Sequence, residues 1–159
     1  MFTLTCSSYA DGGAIPLRFA HRSVPGGGNV SPGFSWEDPP PGTKSFALSI
    51  VDPHPVANNW VHWFVTDIPF QERGIREGAS RSGNLPAHAK ELLNSYNEPG
   101  YGGPAPPKGS GPHPYIATLY ALDVSSLLLG KDTLLSAFLR AVEGKTIAET
   151  AMKGLYERK

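Results

Sequence analysis

Residues 100–123 read GYGGPAPPKGSGPHPYIATLYALD, a loop rich in glycine and proline that runs directly into an apolar segment. Residues 102–114 alone contain four glycines and five prolines. Proline fixes φ, and glycine permits backbone conformations that other residues avoid, so such a loop can hold one shape and still approach a ligand closely. The apolar segment 114–123 predicts a buried strand. We therefore expect a stiff loop on the edge of a β-scaffold.

Other apolar runs predict further strands, over residues 2–7, 15–19, 33–37, 45–52 and 60–68, with a weaker candidate over 92–96. The segment 60–68 has apolar side chains on both faces, which is typical of a central strand covered on both sides. Its alternation places His62 on the same face as Trp60 and Phe64. Residues 70–90 are polar and contain glycine, and they predict a long surface excursion.

The hydrophobic period changes near the C-terminus. Apolar residues over 134–142 recur at helical spacing. Thr146 and Glu149 match a capping box, which predicts a second short helix ending at Gly154. A mainly β chain with strands first and short C-terminal helices predicts an antiparallel β-sandwich. Its length suits a single domain, 1–159.

Composition excludes several classes of function. Fourteen basic residues balance fourteen acidic ones, so no basic surface is expected to bind nucleic acid or an anionic membrane. The single cysteine, Cys6, cannot form an intrachain disulfide and fits a reducing, cytoplasmic setting; we expect it to pack as a small hydrophobe. No signal peptide is evident, and no apolar run approaches the ~18 residues of a transmembrane helix. The histidine spacings match no common zinc site, so no metal or cofactor is expected.

Three polar side chains occupy unusual positions. Asp52 ends an apolar strand, His62 lies within the covered strand, and His113 precedes Tyr115 by two residues. Singly, each has a structural explanation, as a turn starter, a hydrogen-bonded core histidine or a loop residue. Together they favour a site, because burying histidine near aspartate is costly unless the groups pair or meet a ligand.

The remaining polar candidates are weaker. Ser110 is the only candidate nucleophile in the loop, and it lacks the G-x-S-x-G spacing of a nucleophile elbow. The loop also lacks the residue order of a phosphate-binding P-loop. His21 and His88 lie in polar segments, and we expect both at the surface.

These residues also carry a family resemblance. Asp52-Pro53-His54-Pro55, Trp60-Val61-His62-Trp63, Asp67-Ile68-Pro69 and the segment 101–123 resemble motifs of the phosphatidylethanolamine-binding protein family, which includes the Raf kinase inhibitor proteins. The C-terminal segment resembles the compact bacterial and archaeal branch of that family. The resemblance implies a Greek-key sandwich of two antiparallel sheets. It also implies a small pocket at one end that accepts anions, such as the phosphate of a phospholipid head group.

By motif position, the resemblance implies a set of ligand-binding residues: Asp52, Trp60, His62, Pro106, Pro107, His113 and Tyr115. We expect His62 and His113 to donate N–H bonds to phosphate oxygens and to add positive charge when protonated. Asp52 cannot attract an anion, so its expected task is to hold a histidine tautomer or to accept a bond from an ammonium or a protonated phosphate.

The resemblance implies a cytosolic protein that binds a small anionic or phosphorylated ligand. It also implies a protein partner such as a kinase or a protease, and a homodimer. The alternative is a small-molecule isomerase or hydrolase that uses Asp52, His62 and His113 for acid–base chemistry; it ranks second because no activated nucleophile is visible. Inhibition of a protease by an exposed loop is a third hypothesis.

The chain departs from the family pattern at the pocket rim. His54 stands where the family has its second acid, Pro114 where it has an arginine, and Ala105 where cysteine or glycine is common. We predict that the first two losses go together, because an acid and a base that pair across the rim are both gone. That hypothesis requires positions 54 and 114 to be close. Head-group specificity should then differ from that of typical members.

Overall fold

A computed structural model of the protein describes residues 1–159. It contains eight strands: β1 (Thr3–Cys6), β2 (Phe34–Glu37), β3 (Ser45–Asp52), β4 (Trp60–Pro69), β5 (Gly74–Ile75), β6 (Lys90–Glu91), β7 (His113–Leu122) and β8 (Thr146–Tyr156). Two antiparallel sheets result, a small one in the order β1-β2-β5 and a large one in the order β6-β4-β3-β7-β8. There is one α-helix, α1 (Leu135–Val142). The predicted mainly β sandwich is confirmed.

Two apolar clusters cover the two faces of the large sheet. Between the sheets, Trp36 of β2 packs against Phe46 of β3 with ring centroids 5.3 Å apart. On the opposite face, Phe138 of α1 stacks on Phe64 of β4 at 4.6 Å. The large sheet is thus sandwiched between the small sheet and the helix, which explains why β4 is apolar on both faces, as predicted.

The predicted second C-terminal helix is wrong. Residues 146–156 form β8, which pairs with β7 from His113 opposite Tyr156 to Leu122 opposite Thr146. Its inward side chains alternate with exposed ones along the strand. Ladder hydrogen bonds and burial of side chains such as Met152 outweigh the local capping-box signal, because helix propensity is a weak preference that tertiary contacts override.

Smaller corrections concern the loops. The predicted strand over 15–19 is instead a 3₁₀ turn, Leu17–Phe19, that follows Pro16 and leaves Leu17 exposed. The weak strand over 92–96 is also wrong: the regular ladder with β4 is confined to β6, and within 92–96 only Leu92 and Ser95 donate single backbone hydrogen bonds to β4. The excursion over 70–90 runs largely along the surface as predicted, but it contributes β5 to the small sheet.

A β-bulge interrupts β4 at its entrance. Val61 pairs with Val51 and Trp63 pairs with Ile50, so His62 between them has no partner on β3. The extra residue turns the strand, as bulges do near functional sites. His62 therefore lies beside Tyr115 on the cavity side of the sheet, with ring centroids 4.8 Å apart, while Phe64 packs in the cluster under α1. The predicted common face for His62 and Phe64 is wrong for this reason.

Candidate functional site

The site lies where the end of β3 and the starts of β4 and β7 meet at one end of the sandwich, beside the loop over 102–112. A cavity of about 340 Å³ opens there. All seven residues that were predicted to bind ligand line it: Asp52, Trp60, His62, Pro106, Pro107, His113 and Tyr115. The remaining lining residues are Val56, Ala57, Tyr96 and Ala105. The antiparallel topology is what brings these segments together, although Asp52 and His113 are separated by 61 residues of sequence.

Asp52 and His113 form a buried pair. The Nδ1 atom of His113 donates to Oδ2 of Asp52 at 2.5 Å, and both side chains are almost fully inaccessible. The other carboxylate oxygen, Oδ1, accepts the backbone N–H of His54 at 2.9 Å. With both oxygens engaged, the carboxylate cannot rotate, and it keeps the hydrogen of His113 on Nδ1. The expectation that Asp52 holds a histidine tautomer agrees with this geometry.

The opposite nitrogen of His113 faces the loop. Its Nε2 atom lies 2.9 Å from Oγ of Ser110. The same Oγ lies 2.7 Å from the carbonyl oxygen of Pro107. A carboxylate, an imidazole and a hydroxyl therefore follow one another in hydrogen-bond contact at the rim of the cavity. The sequence identified Ser110 only as an isolated loop serine, because nothing local indicates that it reaches His113.

His54 covers the imidazole of His113. The two rings stack with centroids 3.8 Å apart and planes within 10° of each other. Nδ1 of His54 accepts the N–H of Val56 at 3.1 Å, and this bond orients the His54 ring. Position 54 thus contacts the residue directly before Pro114. That the family's acid at position 54 and its arginine at position 114 were lost together stays a prediction. It requires the two positions to be close, and the contact of His54 with His113 agrees with this.

His62 has one fixed tautomer. Its Nδ1 atom donates to the carbonyl oxygen of Gly102 at 2.7 Å, so Nε2 carries a lone pair and contacts no protein donor. Burial lowers the pKa of His62 from 6.5 to about 4, and this loss of solvation outweighs the opposing effects of the Gly102 carbonyl and of Asp52. At neutral pH, His62 is therefore an uncharged hydrogen-bond acceptor. The expectation that it donates to phosphate and adds positive charge conflicts with this geometry.

Tyr115 offers an unused donor. Its side chain is 2 % exposed and its hydroxyl has no hydrogen-bond partner. Burial, with a smaller effect of the negative charge on Asp52, raises the pKa of this phenol far above its usual value, so the hydroxyl stays protonated at neutral pH. An unpaired buried hydroxyl costs about 1–3 kcal/mol, and a ligand in the cavity would remove that cost.

Tyr96 supports the far wall of the cavity. Its hydroxyl donates to the carbonyl of Gly103 at 2.7 Å, and its ring meets Trp60 edge to face at 5.3 Å. His21 stacks behind that ring at 4.1 Å. The prediction that His21 lies at the surface is therefore wrong in part: its side chain is 15 % exposed and bonds Glu98. His88 is exposed, as predicted.

Close backbone packing fixes the start of the loop. A Cβ atom at Gly103 would lie 2.1 Å from the carbonyl oxygen of Phe19, so only glycine fits there. The N–H of Gly103 donates to Oδ1 of Asn29, which is buried. The loop is therefore held against a second segment of chain, in agreement with the stiffness expected from its composition.

The arrangement gives the cavity a defined chemical character. It offers one neutral phenol donor, one neutral imidazole acceptor and a hydrogen-bonded Asp–His pair, between walls of tryptophan and proline. No group of three or more His, Cys, Asp or Glu side chains is arranged to hold a metal ion. The one α-helix, α1, has eight residues and is too short to cross a membrane.

Comparison with known proteins agrees with this architecture. The sequence profile described as phosphatidylethanolamine-binding protein matches residues 5–157. A UPF0098 protein of Methanothermobacter thermautotrophicus is 36% identical over 98% of both chains. The crystal structure of Escherichia coli YbcL, titled as a new member of the mammalian PEBP family, superposes with a TM-score of 0.93 at 30% identity over 99% of both chains. The putative lipoprotein LppC of Mycobacterium tuberculosis is 37% identical over 77% of this chain and 56% of its own length. By these matches, the chain belongs to the phosphatidylethanolamine-binding protein family.

Proposed function

We propose that the protein binds a small phosphorylated ligand, similar to a phospholipid head group, in the cavity at the end of the sandwich. The observation that carries the proposal is Tyr115, whose side chain lines the cavity and whose buried hydroxyl has no hydrogen-bond partner. Buried polar groups in native proteins are nearly always paired, so an unpaired one facing a cavity favours a ligand that accepts its hydrogen. A phosphate oxygen is such an acceptor.

The state of His62 favours one protonation form of that ligand. Its Nε2 atom accepts a hydrogen, and a dianionic phosphate has none to give. A phosphate monoester that keeps one P–O–H can donate to His62 and accept from Tyr115 at the same time. Because the second pKa of such esters is about 6, this form dominates in mildly acidic solution. We therefore expect tighter binding at pH 6 than at pH 7.5.

His113 contributes through its pairing with Asp52. The pair is neutral overall when His113 is protonated and carries one negative charge when it is not. An anionic ligand is repelled less by the neutral pair than by the negatively charged one. Asp52 accordingly acts on the ligand through His113.

Calorimetric titration with inorganic phosphate and with phosphoethanolamine tests the proposal. Tyr115→Phe should weaken binding by at least about tenfold, because a hydrogen bond to a charged group contributes about 1.5–3 kcal/mol. Tyr120→Phe is the matched control: it removes the phenol hydroxyl of another buried tyrosine, which lies outside the cavity in the cluster under α1. Equal affinity of Tyr115→Phe and wild type, or no binding by the wild type at millimolar ligand, would overturn the proposal.

Three further expectations from the sequence remain predictions: a kinase or protease partner, a homodimer and a cytoplasmic location. Light scattering on the purified protein tests the homodimer directly. The location is best tested by fractionating cells, since one relative is named a putative lipoprotein. None of the three bears on whether the cavity binds phosphate.

A further inference from the structure

We propose that Ser110, His113 and Asp52 form a nucleophile, base and carboxylate relay at the rim of the cavity, and that the protein hydrolyses carboxylic esters with a small acyl group. This activity is distinct from phosphate binding and does not depend on it. The acid–base enzyme considered from the sequence had no nucleophile; the contact between Ser110 and His113 supplies one.

The relay has the connectivity that nucleophilic catalysis requires. Asp52 binds Nδ1 of His113 at 2.5 Å, and Ser110 binds the opposite nitrogen, Nε2, at 2.9 Å. A base held by a carboxylate on one side and touching a hydroxyl on the other is the arrangement that activates serine, and it recurs on unrelated folds. The His54 ring, stacked on His113, fixes the plane of the imidazole.

The hydroxyl hydrogen of Ser110 has two acceptors within reach. These are the carbonyl oxygen of Pro107 at 2.7 Å and Nε2 of His113 at 2.9 Å. When His113 is neutral, Asp52 keeps its hydrogen on Nδ1 and leaves a lone pair on Nε2. Rotation of the hydroxyl about its C–O bond then turns the hydrogen from Pro107 to His113 without moving Oγ. A single rotation of the Ser110 hydroxyl therefore converts the resting geometry into the reactive one.

The surroundings of Ser110 suit an ester. Ser110 is partly exposed, so a substrate can reach it, and its two hydrogen-bond partners both line the cavity. The cavity walls include the apolar side chains of Pro106, Pro107 and Trp60, which favours an apolar acyl group. The backbone N–H groups on either side of Ser110, those of Gly109 and Gly111, donate to no protein acceptor. They are available to stabilise a developing oxyanion.

The reaction balances with water as the only co-reactant. Oγ of Ser110 attacks the ester carbonyl carbon while its proton passes to Nε2 of His113. The bond from the carbonyl carbon to the alkoxy oxygen then breaks, and the leaving oxygen takes the proton from Nε2 to become an alcohol. Water attacks the acyl-serine with the same base, which releases the carboxylic acid and restores the Ser110 hydroxyl. The net change is ester plus water to acid plus alcohol.

Two measurements on the full chain test the relay. Turnover of p-nitrophenyl acetate should fall at least about 100-fold in kcat/KM in Ser110→Ala, and a fluorophosphonate probe should phosphonylate Ser110, with loss of fluoride and the hydroxyl proton, in the wild type only. Ser136→Ala, a change of an exposed serine on α1, is the control and should match the wild type. Equal turnover by wild type and Ser110→Ala, labelling at another residue, or no turnover by the wild type would overturn the inference.

Phosphate calorimetry on the same variant separates the two proposals. Ser110→Ala should bind inorganic phosphate as the wild type does, which also shows that the variant is folded. Lost turnover with retained phosphate binding supports the relay. If Tyr115→Phe fails to weaken phosphate binding while Ser110→Ala still abolishes turnover, the binding proposal fails and the relay stands.

Discussion

His62 should make the protein less stable as the pH falls from 6.5 to 4. In the unfolded chain its pKa is near the ordinary 6.5, whereas burial lowers it to about 4 in the native state. Between these values the unfolded chain binds a proton that the native protein excludes, so protonation favours unfolding. One pKa unit corresponds to 1.36 kcal/mol, so the full gap costs about 3 kcal/mol of stability at pH 4 relative to pH 7.

Replacing His62 with asparagine isolates this effect. The asparagine amide can still donate to the Gly102 carbonyl in place of Nδ1, but it does not titrate. Urea unfolding from pH 4 to pH 7 should show a drop in the free energy of unfolding that is smaller by about 3 kcal/mol in His62→Asn than in the wild type. Exposed His88→Asn, the control, should follow the wild type. Parallel curves for His62→Asn and the wild type would refute the reasoning.

Two further substitutions test the packing around the site. Phe138→Ala should lower the free energy of unfolding by about 3–5 kcal/mol, because it removes a fully buried ring under the large sheet. The control, Leu134→Ala, changes an exposed side chain and should alter the free energy of unfolding by under about 0.5 kcal/mol. Urea titration of both variants measures the difference. Gly103→Ala should lower the melting temperature, because the added Cβ would overlap the Phe19 carbonyl oxygen. The control, Gly130→Ala, adds a Cβ that meets nothing within 4 Å and should leave the melting temperature unchanged. Equal melting temperatures of the two variants would contradict the close packing of Gly103 against Phe19.

The central strands were predictable because the pattern of apolar residues that marks them lies within each strand itself. The predicted bounds of β3, residues 45–52, agree with the structure, and for β4 the apolar side chains on both faces indicated a covered strand regardless of its partners. The predicted helix over 134–142 likewise became α1, whose apolar stripe packs on one face of the sheet. Both elements carry their burial pattern within their own residues.

The C-terminal strand was not predictable from the same signals. Residues 146–156 carry small and polar side chains on the buried side of β8, such as Thr146 and Ala148, while Ile147 on the other side is 40 % exposed. Hydrophobicity therefore does not alternate along this segment, and the capping-box letters point to a helix. The pairing that decides its structure comes from β7, some thirty residues earlier, and no local pattern encodes that contact.

The site was predictable as a set of residues but not as a set of roles. Motif resemblance named seven side chains that do line one cavity. The tautomer of His62, however, depends on the carbonyl of Gly102, forty residues away, and the nucleophile contact of Ser110 depends on the fold of the loop. Tyr96 was missed because it belongs to no recognised motif; its only local signal is an aromatic residue shortly before the loop.

The bulge at His62 separates the start of β4, Trp60 and Val61, from the rest of the strand. From Trp63 to Val65 the strand follows one register against β3, and a second shift follows before Ile68; ahead of the bulge, Trp60 and Val61 follow a register shifted by one residue. The side chains of β4 that line the cavity and those that form the core therefore follow separate in–out alternations along the strand. Substitutions around the cavity can change what the protein recognises without repacking the sandwich, whereas deleting His62 would restore a regular alternation over residues 60–65, leave Trp60 opposite Asp52, and remove the imidazole acceptor from the cavity.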